Sequence, residues 1–255
     1  MFGVVFVGAG FLPVMSPTAS MPAGRTLRWS DEFSGDKLDA GKWGTCYPYS
    51  IDQSACTNTG NVGDYIEAQC YTPGNVHVAE GRLVLTARHK SKNCDGLTKH
   101  YTSGLVQTHD RHDFTYGYVE MRAKVPSGLG LWPAFWLVAS DFSWPPEIDI
   151  VEMFGAENHP RTSHHNLHRP GRTTAEFAYG LPDGATFDSG FHVFAVDWHA
   201  SSLSWYVDGR LVHRVTTDVP TVPMYPVVNL ALRDTLITPD AMPAQLLVDY
   251  VRIYT

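Results

Sequence analysis

Short segments of alternating polarity, separated by turns, are the feature that most constrains how this chain can fold. Tyr118–Val125 alternates apolar and polar residues with a period of two, which indicates a strand with one buried face. Asp208-Gly209 joins two further segments of this kind and is typical of a tight β-hairpin. No stretch of a dozen residues keeps the 3.6-residue period of an amphipathic helix, and 22 glycines and 17 prolines interrupt the chain. This pattern predicts an all-β sandwich, with strands in the second half of the chain at His192–Trp198, Leu203–Val207, Arg210–His213, Val227–Leu232 and Leu246–Tyr254.

Composition and charge limit the classes of protein to which the chain can belong. With 255 residues, of which 44% are hydrophobic and 18% charged, it can bury one substantial core and is not a disordered chain. The formal net charge of −7 provides no basic surface for nucleic acid or anionic lipid. Neither a nucleic-acid partner nor a membrane partner of the processed chain is therefore expected. One domain is predicted over residues 25–255, acting as a monomer.

Residues 147–152 carry three carboxyl groups between aliphatic residues, in the order Glu-Ile-Asp-Ile-Val-Glu. Because side chains two apart on a strand share a face, Glu147 and Asp149 are expected to point the same way. Glu152 lies five positions after Glu147 and would face away, unless one extra residue, a β-bulge, turns it back. Either the third acid is unrelated to the other two, or a bulge brings all three together in a catalytic site.

Two carboxyl groups on one face suit the hydrolysis of a glycosidic bond. One group must be ionised to attack or stabilise the anomeric carbon, and the other must be protonated so that it can protonate the leaving oxygen. Like charges at close range separate the pKa values of neighbouring carboxyl groups, so the three acids are expected to titrate together. The alternative is an edge strand with solvated acids that guard against aggregation.

Aromatic residues on both sides of the acids favour the catalytic interpretation. Trp132-Pro-Ala-Phe-Trp136 and Phe142-Ser-Trp144 precede the acids, and Phe154 follows them. Indole and phenyl rings stack on the flat C–H faces of sugars, so this neighbourhood is typical of a carbohydrate cleft.

The motifs of the chain, taken in order, resemble glycoside hydrolase family 16. Bulged members of that family carry Glu-x-Asp-x-x-Glu after a Trp-Pro-Ala-Phe-Trp strand, as residues 132–152 do here. Further matching segments are Trp29–Phe33, Leu38–Trp43, Asn75–Leu83, Tyr101–Gly104 and Asp249–Tyr254. The resemblance implies a jelly roll of two curved antiparallel sheets, in which the concave sheet forms a cleft for a polysaccharide.

The resemblance also implies roles for individual residues. Glu147 is the expected nucleophile and Glu152 the expected general acid/base, with Asp149 assisting and the anomeric configuration retained. Pro146 precedes Glu147 where the family commonly has glycine, and because proline lacks an N–H, the strand is predicted to begin at Glu147. Residues expected to contact the sugar are Trp132, Trp136, His168, Glu67 and Asn229.

No cofactor is expected to be required for catalysis. The resemblance implies a structural calcium ion on the convex face, held by Asp249, with Glu32 and the carbonyl of Gly81 as companions. Four histidines follow the acids, at positions 159, 164, 165 and 168, but no His-Glu-x-x-His helix accompanies them. A zinc-dependent reaction is therefore not predicted.

The start of the chain and its cysteines favour export. Residues 1–24 combine an apolar run with a small-residue stretch and are predicted to be a signal peptide or a disordered leader, although no lysine or arginine precedes Arg25. The four cysteines allow three pairings. One of them, Cys46 with Cys56 and Cys70 with Cys94, would close two loops, and buried free thiols are the alternative. Disulfides would agree with a secreted protein, which is the expectation for this chain.

The substrate class follows from the resemblance alone. The bulged motif implies a secreted endo-acting hydrolase of β-1,3-glucan of the laminarin type. Mixed-linkage β-1,3-1,4-glucan, galactan and bacterial exopolysaccharide are alternatives, because relatives keep the acids and differ in the loops that line the cleft. A transglycosylase, which passes the sugar to another chain, and a carbohydrate-binding module of the same fold are the remaining alternatives.

Overall fold

The computed structural model describes residues 24–58, 66–171 and 175–255, and these residues form sixteen β-strands. The strands are β1 Leu27–Asp31, β2 Gln69–Tyr71, β3 Val76–Ala79, β4 Arg82–Cys94, β5 Leu97–Ser103, β6 Leu105–Gln107, β7 Gly117–Lys124, β8 Leu131–Ala139, β9 Glu147–Glu152, β10 Thr162–His168, β11 Ala175–Gly180, β12 His192–His199, β13 Ser202–Val207, β14 Arg210–Val215, β15 Met224–Leu232 and β16 Ala244–Tyr254. Three short 3₁₀ turns lie at Pro73–Asn75, Pro182–Gly184 and Pro239–Ala241. The all-β prediction is confirmed, and each strand predicted in the second half of the chain is present.

The segment predicted to be a signal peptide or leader, residues 1–24, lies outside the described residues except for residue 24. Across the ranges that the structure describes, no helix has the length and apolar character needed to cross a membrane.

The strands form two sheets that pack face to face. The larger sheet has ten strands, in the order β14-β13-β12-β7-β16-β4-β5-β2, with β1 paired to β16 and β3 paired to β4. The smaller sheet has six strands, in the order β11-β10-β9-β8-β15-β6. The pairings are antiparallel apart from that of β2 with β5. Since β9 lies inside the smaller sheet, the acids are not on an edge strand, and the alternative of solvated edge acids is wrong.

Alternate residues of the strands fill the core between the two sheets. On β8, Leu131, Phe135 and Leu137 are buried in this core, whereas Trp132 and Trp136 face outward. Burial of each large apolar side chain contributes about 1.5–3 kcal/mol. The period of two along β8 therefore separates the side chains that hold the sheets together from the tryptophans that reach the outer face.

A second apolar cluster covers part of the outer face of the smaller sheet. Tyr47, from the loop before β2, packs there with Tyr71, Tyr225 and Val227. Trp136 lies against this cluster, and its ring centroid is 6.5 Å from that of Tyr47. Because of this layer β15 is buried on both faces. The layer forms a wall beside the outward-facing tryptophans of β8.

The predicted hairpin joins β13 to β14 through Asp208 and Gly209. Both residues have positive φ, 50° and 77°, as a two-residue turn between twisted strands requires. The turn sets the register in which β13 pairs with β14, where Val207 lies opposite Arg210.

Two disulfides are present, and they match one of the three possible pairings. Cys46 is bonded to Cys56, and Cys70 is bonded to Cys94. The first closes the loop that carries Tyr47, and the second ties β2 to the end of β4. Because all four cysteines are bonded in this way, the pairing is confirmed and the alternative of buried free thiols is wrong.

Removing the disulfide with the longer loop is expected to cost more stability than removing the other. Cys70 and Cys94 are separated by 24 residues, and Cys46 and Cys56 by 10. The entropy that a cross-link removes from the unfolded chain grows with loop length. The double variant Cys70→Ala/Cys94→Ala should therefore lower the free energy of unfolding by about 3 kcal/mol. The double variant Cys46→Ala/Cys56→Ala should lower it slightly less. Urea unfolding measures both changes. A wild-type unfolding midpoint that a reductant leaves unchanged would contradict the disulfides.

Candidate active site

The strand that carries the acids, β9, has one residue more than the segments of β8 and β10 with which it pairs, because residues 147–152 lie opposite residues 134–138 and 164–168. On β8, Phe135 pairs with Val151. The next residue, Trp136, pairs with Asp149, so Ile150 is the extra residue. The pairing with β10 shifts by one residue at the same place. The β-bulge predicted from the spacing of the acids is confirmed.

The bulge places all three acids on the outer face of the smaller sheet. Ile150 and Val151 are adjacent in sequence, and both are buried in the core. Two adjacent inward side chains reverse the alternation of the strand, so Glu152 joins Glu147 and Asp149 in one cavity. The structure thus brings the three predicted catalytic residues together.

Glu147 begins β9 directly after Pro146, as the proline predicted. Its carboxylate accepts a hydrogen bond from the indole N–H of Trp144, with 2.9 Å between Nε1 and Oε2. His168 Nε2 lies 3.5 Å from the other oxygen, Oε1. Burial raises the pKa of Glu147 and the charge on Asp149 raises it further, whereas the positive charge of a protonated His168 opposes both effects.

Asp149 lies between the two glutamates and is only 2% exposed. Its Oδ2 is 3.0 Å from Nε2 of His168, and its carboxyl group forms side-chain hydrogen bonds with Glu147 and Glu152. Burial raises the pKa of Asp149, and the charge on Glu152 adds to the increase. The structure therefore places His168, predicted as a sugar contact, directly against two of the acids.

Two N–H donors hold the carboxylate of Glu152. Trp132 Nε1 donates to Oε1 at 3.0 Å, and Asn166 Nδ2 donates to Oε2 at 2.8 Å. Burial raises the pKa of Glu152, whereas both hydrogen bonds lower it because they stabilise the charged form. Trp132 was predicted to contact the sugar, and the structure shows that it also orients an acid.

The three acids share one site in which their side chains are largely buried. For each of them burial is the largest cause of a raised pKa, because the charged form loses its solvation. Like charges this close cannot all ionise, so the group titrates as a coupled set. The site therefore retains a proton at a pH where an isolated carboxyl group would have lost it, which a general acid requires.

The cavity above the acids has a volume of about 850 Å³ and lies on the outer face of the smaller sheet. Beside the acids, Trp136 Nε1 donates to Oδ1 of Asn229 at 2.8 Å, and Asn229 Nδ2 donates to Oη of Tyr71 at 2.8 Å. Glu67 is buried close to Tyr71 and accepts a hydrogen bond from Gln69. Trp136, Asn229 and Glu67, which were predicted as sugar contacts, all line this cavity.

Exposed aromatic rings line the mouth of the cavity. Tyr49, Phe142 and Trp144 are 54%, 49% and 65% exposed, although large apolar side chains are normally buried. Tyr49 stacks on Tyr47 with 5.2 Å between ring centroids and meets Phe142 edge to face at 6.0 Å. Flat rings held in this way present faces on which sugar rings stack, so the cavity suits a carbohydrate chain.

A family comparison agrees with this geometry. The sequence model of the family described as Glycosyl hydrolases family 16 matches residues 67–244, which is more than half of the chain. The chain belongs to glycoside hydrolase family 16. Glucanases of this family are generally independent of cofactors in catalysis, in agreement with the expectation from the sequence.

Similar curated proteins match over most of this chain. Glucan endo-1,3-beta-glucosidase A1 of Niallia circulans is 34% identical over 274 residues, which cover 95% of this chain and 40% of that protein. Endo-1,3-1,4-beta-glycanase EglC of Rhizobium meliloti is 34% identical over 244 residues, which cover 90% of this chain and 52% of that protein. The chain thus spans about half the length of these curated relatives or less.

A solved structure supports the fold assignment. The catalytic domain of an endo-1,3-beta-glucanase (laminarinase) from Thermotoga petrophila is 30% identical in sequence and superposes with a TM-score of 0.79, covering 91% of this chain and 98% of that chain. The predicted jelly roll of family 16 is confirmed.

Two residues that donate hydrogen bonds to the glutamates, Trp144 and Asn166, were not predicted as site residues from the sequence. Trp144 belongs to the aromatic segment before the acids, but its hydrogen bond to Glu147 could not be read from the segment. Asn166 lies two positions before His168 on β10, and the period of two places both on the same face. That spacing was the one signal available for Asn166.

The acids predicted to bind calcium are paired with arginines. Arg122 Nη1 donates to Oδ2 of Asp249 at 2.6 Å. Arg252 donates two hydrogen bonds to the carboxylate of Glu32, at 2.9 and 2.8 Å, and these lower the pKa of Glu32. Gly81 lies in the turn between β3 and β4 with a φ of 70°. The two carboxylates could bind a calcium ion only if both arginines moved away, and calcium binding stays a prediction.

The four histidines after the acids have separate partners and do not form one cluster. The nearest partners of their ring nitrogens are different groups: His159 lies next to Asp188, His164 next to Glu176, His165 next to the Ile150 carbonyl and His168 next to Asp149.

Removing the indole N–H at Trp132 is expected to raise the pKa of Glu152. The hydrogen bond from Trp132 stabilises the charged form of Glu152, so Trp132→Phe, which keeps an aromatic ring, should let the pKa rise further above its ordinary value. An NMR titration of the Glu152 side-chain carboxyl carbon measures this. Trp136→Phe is the matched control, because Trp136 donates to Asn229 and not to an acid. Equal Glu152 titration curves in the two variants would contradict the assignment.

Proposed function

We propose that the protein is a secreted, retaining endo-hydrolase of β-1,3-glucan, with laminarin-type chains as substrate. The observation that carries this proposal is the set of three coupled carboxyl groups with raised pKa values in an aromatic-lined cavity of about 850 Å³. The names of the relatives support the choice of polymer, since the Niallia circulans protein is a glucan endo-1,3-beta-glucosidase and the Thermotoga petrophila domain is a laminarinase.

The reaction proceeds in two steps in which the two glutamates have different roles. In the first step Glu152 donates its proton to the glycosidic oxygen while the carboxylate of Glu147 attacks the anomeric carbon. The bond to the leaving chain breaks, and an ester bond forms between Glu147 and the sugar. In the second step Glu152, now ionised, takes a proton from water. The water oxygen attacks the anomeric carbon and releases Glu147, so that two inversions give net retention.

The contacts of Glu147 suit the role of nucleophile. Trp144 donates to Glu147 and His168 lies beside it, and such groups stabilise the ionised form that a nucleophile needs. Both glutamates form hydrogen bonds with the one carboxyl group of Asp149, which keeps them close together. Retaining enzymes hold the two carboxyl groups about 5–5.5 Å apart, whereas inverting enzymes need about 6.5–9.5 Å to admit a water molecule.

The shape of the cavity supports action within a polymer. Its lining runs from Glu176 on β11, at one edge of the smaller sheet, to Tyr225 on β15, near the other edge. A cavity that crosses the sheet in this way lets a chain extend past both sides of the acids. The exposed rings of Tyr49 and Phe142 add stacking surfaces beyond Trp136.

Action outside the cell is part of the proposal. Two disulfides suit an oxidising compartment, because thiols are kept reduced in the cytosol. A polymeric glucan is also too large to be taken up before it is cut, which favours cleavage in the medium.

Glu147→Gln is expected to abolish hydrolysis while leaving the fold intact. The variant keeps the shape of the side chain but loses the nucleophile, so kcat/KM on laminarin should fall about 10³-fold or more. The measurement is size separation of the products from laminarin, mixed-linkage glucan, agarose and carrageenan. Glu80→Gln, at an exposed position outside the cavity, is the control and should cleave as the wild type does. Full activity of Glu147→Gln would contradict the catalytic role of Glu147. If the wild-type enzyme cleaved another polymer and not laminarin, that polymer would be the substrate.

Azide rescue is expected to separate the roles of the two glutamates. With an aryl glycoside of laminaribiose, whose leaving group needs no protonation, Glu147→Gly plus azide should give the α-glycosyl azide by a single inversion. Glu152→Ala plus azide should give the β-glycosyl azide, because azide attacks the covalent intermediate. NMR spectroscopy identifies the anomers. An α-anomer as the first product of the wild-type enzyme would show inversion and contradict the retaining mechanism.

A further inference from the structure

The β-bulge in β9 interrupts the regular ladder, and two core side chains bind backbone carbonyl groups there. His165 Nδ1 lies 2.7 Å from the carbonyl oxygen of Ile150, the extra residue of the bulge. Trp205 Nε1 donates to the carbonyl oxygen of Asp149 at 2.9 Å. His165 comes from the neighbouring strand β10, and Trp205 comes from β13 in the opposite sheet. Two consecutive carbonyl groups of the acid-bearing strand are therefore held by buried side chains.

The contacts of His165 decide where its proton lies. A carbonyl oxygen only accepts hydrogen bonds, so Nδ1 must carry the proton that faces Ile150. Nε2 lies 3.0 Å from the hydroxyl oxygen of Ser163, which donates to it. Burial lowers the pKa of His165 to about 4, so the ring is neutral. Both ring nitrogens are thus used, one as a donor and one as an acceptor.

His165 differs from the other histidines of the chain. It alone of the twelve is fully buried. A buried imidazole loses the solvation of two polar nitrogens, so an aliphatic residue is the usual occupant of such a position. The pairing between β9 and β10 shifts between His164 and Asn166, at the position of His165 itself. The polar ring therefore lies where the extra residue of β9 leaves a carbonyl group without a regular ladder partner.

We propose that His165 is a positioning residue for the reaction: its N–H holds the Ile150 carbonyl and thereby the one-residue bulge that turns Glu152 into the cleft. The proposal rests on the catalytic role proposed for Glu147 and Glu152. Without the bulge, strict alternation would direct Glu152 into the core, away from Asp149 and from its own N–H donors.

Three substitutions at position 165 test this role. His165→Leu fills the space without a donor, His165→Asn places an amide N–H near the position of Nδ1, and His165→Gln places it farther out, near Nε2. We expect the Leu and Gln variants to lose about 10–100-fold in kcat, because a small misplacement of Glu152 is costly. KM should change by less than about two-fold, since the sugar-stacking rings stay in place. His165→Asn should recover most of the lost kcat.

A purely structural role would give a different pattern. In that case kcat would follow thermal stability, and Asn would be no better than Gln at equal Tm, which would overturn the proposal. Val196→Ala, a core substitution on β12, is the matched control and should lower Tm with kcat unchanged. If His165→Leu does not fold, the comparison of Asn with Gln decides the question.

A second measurement separates this proposal from the proposed function. NMR titration of the Glu152 carboxyl carbon needs no substrate. We expect the titration curve to be displaced in His165→Gln and to stay close to the wild type in His165→Asn. If this pattern appears and no glucan is cleaved, the proposed substrate fails while the positioning role stands. A Glu152 titration curve that is the same in wild type, Asn and Gln overturns the positioning role, whatever the activity.

Discussion

The arrangement of the active site depends on the single extra residue in β9. In a strand with strict alternation Glu147 and Asp149 would share one face, but Glu152, five positions after Glu147, would point to the other face. With Ile150 inserted, two adjacent aliphatic side chains enter the core and Glu152 returns to the cleft. The insertion also disturbs the ladder on both sides of β9. Its carbonyl groups are satisfied by buried side chains, so the cost of an unpaired carbonyl in the core is avoided.

The same geometry produces the electrostatics of the site. Three carboxyl groups on a strand inside the sheet lose much of their solvation, and this loss is the largest cause of their raised pKa values. The partners that stabilise charge are few and specific: Trp144 and His168 at Glu147, and Trp132 and Asn166 at Glu152. Burial thus keeps a proton in the set, while the donors favour charge at chosen oxygens. A site of this kind performs acid and nucleophile chemistry with one type of side chain.

Three of the four tryptophans near the acids both donate a hydrogen bond and present a ring to the cavity, a combination that phenylalanine could not provide. Each binds a polar group through its indole N–H, and the acceptors are Glu152 for Trp132, Asn229 for Trp136, Glu147 for Trp144 and the Asp149 carbonyl for Trp205. The first three also line the cavity. Since a hydrogen bond at the ring edge restricts its rotamers, the stacking faces are held in place before a sugar arrives, and less entropy is lost on binding.

Much of the fold could be predicted from the sequence, because alternation, turn chemistry and the missing N–H of proline act within a few residues. Those local rules identified β7, β12 to β16, the Asp208-Gly209 hairpin and the start of β9, and they gave a bulge as one of two alternatives for the spacing of the acids. They left three cysteine pairings open and did not indicate Asn166, His165 or Trp205. These side chains reach the acid-bearing strand from 14, 15 and 56 residues away, and the arginines paired with Glu32 and Asp249 are 220 and 127 residues from those acids. Such contacts depend on strand register and on how the two sheets face each other. Both are set by burial of the whole core, so the tertiary structure alone decided them.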